Sequence, residues 1–267
     1  MRHLSKTSVA SLIFGYAFLY LPILTVIVFS FNESRLVTVW SRFSTKWYRT
    51  LLSNEGLIDA VLASFKIAAM TATIAVVLGT LAAVVMVRFS KFRGRTLFGG
   101  LISAPLVMPD VITGLAFLMM FVTLEQLIGW PAYRGVLTIT IAHITLAMAY
   151  VSLVVQARLQ DFDRSLEEAA LDLGARPVKV FLVIVLPLIL PSLMAGWLLA
   201  FALSLDDVVI ASFLSGPGAT TLPMLIFSSI RMGVSPEINA LATIIVGIVA
   251  VGVTIAGLII HHQQKRT

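Results

Sequence analysis

Thirteen of the 267 residues are acidic, and three of them stand within or at the edge of long apolar stretches: Asp110, directly after Pro109, and the neighbours Asp206 and Asp207. A carboxylate held among apolar residues is costly, and where it is kept it marks a path for ions, protons or polar cargo. Adjacent residues of a helix point in different directions. At most one of Asp206 and Asp207 therefore faces such a path if that stretch is helical, and the other caps a helix or binds backbone. A plainer role is open at each position. Asp110 can cap a helix restarting after Pro109, and Asp206 with Asp207 can cap a re-entrant stretch ending at the turn signal Gly216-Pro217-Gly218. His143 is alone in its apolar run, with no second histidine at metal-ligand spacing, so its expected place is a hydrogen-bonded core position. With no cysteine there is no disulfide, thiolate nucleophile or cysteine metal site.

A second group of residues lies in the polar loop 158–179. Ser165 with Glu168 three residues on is a capping-box pattern, with Asp163 as a rival cap. Glu167 and Glu168 fall in the first turn, where the helix dipole favours negative charge. Gly174 falls at a left-handed helix end, and Pro177 suits the first turn of the next helix. Ala169 and Ala170 permit close approach, while Glu168 and Asp172, four apart, can face a basic partner. The pattern predicts a short capped helix, a glycine turn and a second helix, which is either a rigid docking knob or an ordinary connector.

The elements that hold these residues follow from composition. Apolar residues make up 59% of the chain, charged residues 12%, and the mean hydropathy is +1.00. A soluble domain has roughly 25% charged residues, so a cytosolic enzyme, a secreted domain and a disordered regulator are excluded. Six stretches reach the roughly 20 apolar residues that a crossing needs: 9–31, 61–87, 97–124, 135–155, 180–205 and 240–260. The first is longer than a signal-peptide core and no small-residue cleavage site follows it, so it is expected to be a retained span. Pro22, Pro105, Pro109, Pro187 and Pro191 predict bent helices.

Of the nineteen Lys and Arg, twelve fall at the termini and in the second and fourth loops, among them Arg2, Arg88, Lys265 and Arg266. That bias places both termini in the cytoplasm. Basic residues confined to such gaps, rather than a stripe on a polar face, speak against nucleic acid. Thr71, Ala75, Gly79 and Ala83 form a small-residue face for close helix packing, inside the chain or between subunits. Trp40, Trp47 and Trp130 suit the interfacial belt, and Lys66 is expected to snorkel. No G-x-x-x-x-G-K-[ST] phosphate loop is present. Residues alone leave open a proton-driven carrier using Asp110 or His143, and a membrane scaffold.

Glu168-Ala169-Ala170, Gly174 four residues on, then Ile184 and Leu186-Pro187, resemble the EAA motif of the membrane-spanning subunits of binding-protein-dependent ABC importers. The stretches 104–114, 204–218 and 232–240 are similar to polyamine-importer permeases, nearest to the second, shorter permease of putrescine importers. The resemblance implies an all-α membrane protein of six transmembrane helices with the type I ABC importer fold, one permease domain over 1–267, and a cytoplasmic coupling helix. Ser165, Glu167, Glu168, Ala169, Ala170, Asp172 and Gly174 would then be the ATPase-coupling positions. It further implies a second homologous permease, two ATPase subunits carrying the ATP and Mg, a periplasmic polyamine-binding protein, and the bacterial inner membrane. Asp110 and one of Asp206 and Asp207 would meet the polyamine in transit, with putrescine, spermidine or another organic cation as cargo.

Overall fold

The computed structural model describes residues 5–36, 39–89, 91–232 and 235–264. Arg2, Gly233, Val234, Lys265 and Arg266 lie outside the described residues. The described chain consists of helices and the loops that join them, with one isolated bridge between Asn32 and Phe43. Five of its helices are long and apolar enough to cross a membrane: Thr7–Ser30, Glu55–Arg88, Asp110–Ile128, Val136–Gln160 and Pro177–Asp206.

The chain divides into two compact units. The first holds α1 (Lys6–Ser30), α2 (Lys46–Ser53) and α12 (Pro236–Gln264). Ser5 starts α1, its hydroxyl accepting from the Thr7 N–H at 3.2 Å. Phe14 and Phe18 are among its many exposed apolar side chains, as befits a helix whose surroundings are lipid or another chain rather than water. The loop after α1 is organised by buried Asn32. Its amide donates to the Val39 carbonyl at 2.7 Å and its side-chain oxygen accepts from the Ser41 N–H at 3.0 Å. The Asn32 carbonyl accepts from the Trp47 indole at 2.6 Å. Trp47 is therefore not an interfacial-belt residue. It is 6% exposed, because an indole whose N–H finds a fixed backbone acceptor loses the reason to sit at the water boundary.

The second unit covers Asp59–Leu225. It contains most of α3 (Glu55–Arg88), then α4 (Arg95–Val107), α5 (Asp110–Ile128), α6 (Val136–Gln160) and α7 (Ser165–Asp172). Next come α8 (Pro177–Val180), a π-helical turn Phe181–Val185 and α9 (Leu186–Asp206), which run on as one apolar helix. The short α10 (Val209–Leu214) and the start of α11 (Leu222–Met232) complete it. Pro187 cannot donate to the Val183 carbonyl, and the widened π turn lies directly ahead of it.

The small-residue face of α3 is used inside this unit. Ala75 and Ala83 join Ala147, Val151 and Val155 of α6 and Ile189 and Ala200 of α9 in one buried cluster. A Cβ on Gly79 would stand 2.8 Å from the Met148 carbonyl oxygen and 2.9 Å from Val151. Only glycine lets those two backbones approach so closely.

The stretch expected as one span over 97–124 is broken. Met108 and Pro109 are extended, with ψ of 134° and 137°. Proline disfavours the helical region for the residue before it, and here the extended Met108 ends α4 at Val107 while α5 begins at Asp110. Of the sixth expected stretch, the described apolar part is Pro236–Gly252 within α12.

Candidate functional site

The break before Asp110 and the end of α9 at Asp206 bring the three singled-out aspartates to one cavity. It has a volume of about 460 Å³ and is walled by Pro105 of α4, Met108 of the α4–α5 break, Leu146 and Tyr150 of α6, and Leu203 of α9. A second, apolar cavity of about 220 Å³ shares Pro105, Met108 and Leu146 with it and continues to Phe117 and Met120.

The aspartates differ in what holds them. Asp207 is tied down. It accepts from the Ala211 N–H at 2.7 Å and the Ile210 N–H at 3.3 Å, so it closes the open N-terminus of α10. His143 Nε2 lies 3.2 Å from its Oδ2, and His143 Nδ1 lies 2.7 Å from the Ser204 hydroxyl. An Nε2–H donating to the carboxylate leaves Nδ1 to accept from Ser204. The ring is 3% exposed. Asp110 and Asp206 are exposed to the cavity and form no ion pair among the described residues. Asp110 lies in the first turn of α5, where the helix end favours its charge without a cap hydrogen bond from Pro109.

Sequence reading missed Ser204 and Tyr150 and left His143 without a partner. A periodic signal was there. His143, Leu146 and Tyr150, at i, i+3 and i+7, share one face of α6, and Ser204 stands three residues before Asp207.

At the other end of Pro177–Asp206 lies α7. The capping box expected at Ser165 does not form. Arg164 is the N-cap with helical angles, φ −65° and ψ −20°, so Ser165 is already the first helical residue and its hydroxyl cannot reach forward as a cap does. Asp163 takes over, its Oδ1 accepting from the Ser165 N–H at 3.0 Å. That hydrogen bond, with the one from the Ser165 side chain, holds the Asp163 carboxyl below its ordinary range.

The C-terminus of α7 is a Schellman turn. Gly174 has φ +83°, its N–H donates to Leu171 O at 2.9 Å, and the Ala175 N–H donates to Ala170 O at 3.1 Å. Pro177 then begins α8. Glu167 points back into the chain and pairs with Arg88. Glu168, Ala169 and Asp172 are exposed, as are Leu166, Leu171 and Leu173, the last at 89%. The free face of α7 is thus apolar and small, with two acids beside it.

Among the described residues, no group of three or more His, Cys, Asp or Glu is placed to hold a metal ion. The three cavity acids share a chamber without converging on a point.

A family model described as binding-protein-dependent transport system inner membrane component matches residues 75–267. The putrescine transport system permease protein PotI of Escherichia coli K12 is 58% identical over 262 residues, 98% of this chain and 93% of that protein. The spermidine/putrescine transport system permease protein PotC of the same strain is 40% identical over 250 residues, 94% of this chain and 92% of that protein. A solved bacterial ABC transporter involved in the import of the acidic polysaccharide alginate superposes with a TM-score of 0.72 at 15% identity, over 97% of this chain and 98% of that one. An amino acid ABC transporter solved with histidines matches with a TM-score of 0.53 at 18% identity, over 76% of this chain and 92% of that one.

Proposed function

The chain belongs to the binding-protein-dependent transport system inner membrane components, and on that premise we propose that it is the permease subunit of an ATP-driven importer that passes putrescine from periplasm to cytoplasm. It is an all-α, multi-pass protein of the inner membrane with a type I ABC-importer-like fold, a transport subunit and not an enzyme. In the proposed arrangement residues 1–267 act as one permease domain with six crossings, α12 being the sixth, and both termini are cytoplasmic. A second homologous permease, two ATPases carrying ATP and Mg, and a periplasmic polyamine-binding protein complete the machine. The α7 segment is its coupling helix. Glu168, Ala169, Ala170 and Asp172 meet the ATPase, and Gly174 forms the turn.

The observation that carries the reading is the shared cavity of Asp110 and Asp206, two carboxylates that form no ion pair among the described residues. A diamine is a dication with an apolar linker. It asks for separated carboxylates with apolar wall between them, not for a tight cage. The apolar chamber adjoining at Met108 and Leu146 supports the same cargo. Spermidine remains the second reading, supported by the 40% identity to PotC.

Mechanically, Pro177–Asp206 has 30 residues, about 45 Å of helix. One end adjoins α7 and the other carries Asp206, so a displacement of α7 is delivered to the cavity wall.

Uptake by vesicles holding the intact complex should require ATP, and unlabelled putrescine should compete better than spermidine. Equal competition would favour the second reading. Transport by this chain alone on a pH gradient would overturn both.

A further inference from the structure

The ion pair between Arg88, the last residue of α3, and Glu167, in the first turn of α7, is less than one-fifth exposed on both sides. It is not isolated. The Arg88 guanidinium lies over the Phe162 ring, 5.7 Å from its centre. The Arg164 guanidinium donates to the Val87 carbonyl at 3.1 Å. Val87 is one of the last four residues of α3, whose carbonyls have no partner within their own helix, so Arg164 satisfies an acceptor that the helix leaves open. Each charge also sits at the favourable end of its own helix, Arg88 at the C-terminus of α3 and Glu167 at the N-terminus of α7. Two arginines, one from each side, thus bind the end of α3 to the α6–α7 corner.

The corner has a second attachment. Through the Schellman turn at Gly174, α7 packs against α8 and the π turn. One short helix is therefore held by two long ones, α3 through the arginine clamp and Pro177–Asp206 through chain continuity. Those two long helices meet again in the cluster that contains Ala75, Ala83, Ile189 and Ala200.

We propose that the Arg88–Glu167 clamp makes α7 and the inner end of α3 a single moving body, so that a push on α7 reaches α3 as well as α9, with Arg88 as a positioning residue for coupling. Glu167 then acts inward and leaves contact with the ATPase to Glu168 and Asp172. The inference rests on the importer reading above, in which α7 is where force enters.

The test uses the intact complex in proteoliposomes, reading ATPase copurification, ATP hydrolysis and cargo uptake separately. Arg88→Glu and Glu167→Arg should each lower uptake per ATP hydrolysed about tenfold, with the ATPases still bound. The double variant should recover most of the uptake, because the reversed pair can form again. Unchanged uptake per ATP in both single variants, or no recovery in the double, overturns the clamp.

A variant that fails to assemble is replaced by a cross-link. The chain has no cysteine of its own, so Arg88→Cys with Glu167→Cys, joined by a short bis-maleimide in an otherwise cysteine-free complex, locks the two ends together. Retained uptake after locking supports a single body, and its abolition shows that α3 and α7 must part during the cycle. ATP-dependent uptake that ignores both charge reversals sinks the clamp alone. Uptake without the ATPases sinks the importer reading itself.

Discussion

In the cavity Asp110 and Asp206 form no ion pair among the described residues, whereas at the α6–α7 corner Arg88 meets Glu167, Arg164 meets the Val87 carbonyl and Asp163 meets the Ser165 N–H. A charge already matched within the chain fixes geometry and has little left to offer a visitor. A carboxylate kept in apolar surroundings without a match is destabilising until a cation arrives. The first arrangement suits a part that transmits force, and the second a part that receives cargo. The same contrast appears at the scale of one peptide bond. Asp207 is tied to His143, Ile210 and Ala211, while its neighbour Asp206 is open to the cavity.

Neutralising the open acids is the strongest attack on this comparison. Hydrogen bonds to charged groups contribute about 1.5–3 kcal/mol, so Asp110→Asn and Asp206→Asn should each cut uptake roughly 10–100-fold, and the double variant further. The measurement is initial uptake by the assembled complex. Normal uptake in the double variant would mean that these acids are as structural as the corner's charges.

The next effect sharpens the contrast between the two neighbours. His143→Leu strips Asp207 of one partner and leaves the Ser204 hydroxyl without its own. Losing such a partner costs about 1–3 kcal/mol, a fall in melting temperature of a few degrees for a unit of this size. Asp206→Asn, which removes an unmatched charge, should leave the melting temperature at or slightly above that of the parent. Equal shifts in the two variants would erase the distinction between a holding acid and a receiving one.

Much of this was legible in the residues. The apolar runs announced membrane crossings because hydropathy over about 20 residues is a physical requirement rather than a preference. Asp110, Asp206 and Asp207 were conspicuous for the same reason: a charge in such a run is expensive. Their convergence on one cavity was not legible, since it depends on where α5 restarts relative to the end of α9, a tertiary fact. Pro109 announced a break, yet the run on either side of it was apolar enough to look continuous. Arg88 was readable only as a vote on topology. Nothing local links it to Glu167, which lies 79 residues away. Ser165 misled because the capping-box spacing was satisfied while the backbone had already turned helical at Arg164.

Gly174 tests the corner more gently. Its φ of +83° is one that side chains disfavour, although a Cβ there would meet nothing within 4 Å. Gly174→Ala should therefore act through backbone strain alone, at roughly 1–2 kcal/mol, seen as faster hydrogen exchange at the end of α7. Exchange equal to the parent's would show that the turn is not held in the left-handed region.

The smallest effect concerns Asp163. Its carboxyl is held below the ordinary range chiefly by the Ser165 N–H. A carboxylate whose folded pKa is depressed stabilises the fold fully above its unfolded pKa, and that contribution disappears as pH falls through the folded value. The first turn of α7 should accordingly exchange its amide hydrogens faster, relative to the intrinsic rate, as pH drops through and below the usual carboxylate range. Asp163→Asn keeps an oxygen to accept from Ser165 but cannot titrate, so its protection should be slightly weaker at neutral pH and flat with acid. Because the group is fully exposed, both changes should be small and should shrink in high salt. An Asn variant as acid-sensitive as the parent would show that Asp163 is not the group through which acid loosens the start of α7, and that its cap is no more than one hydrogen bond among several at the corner.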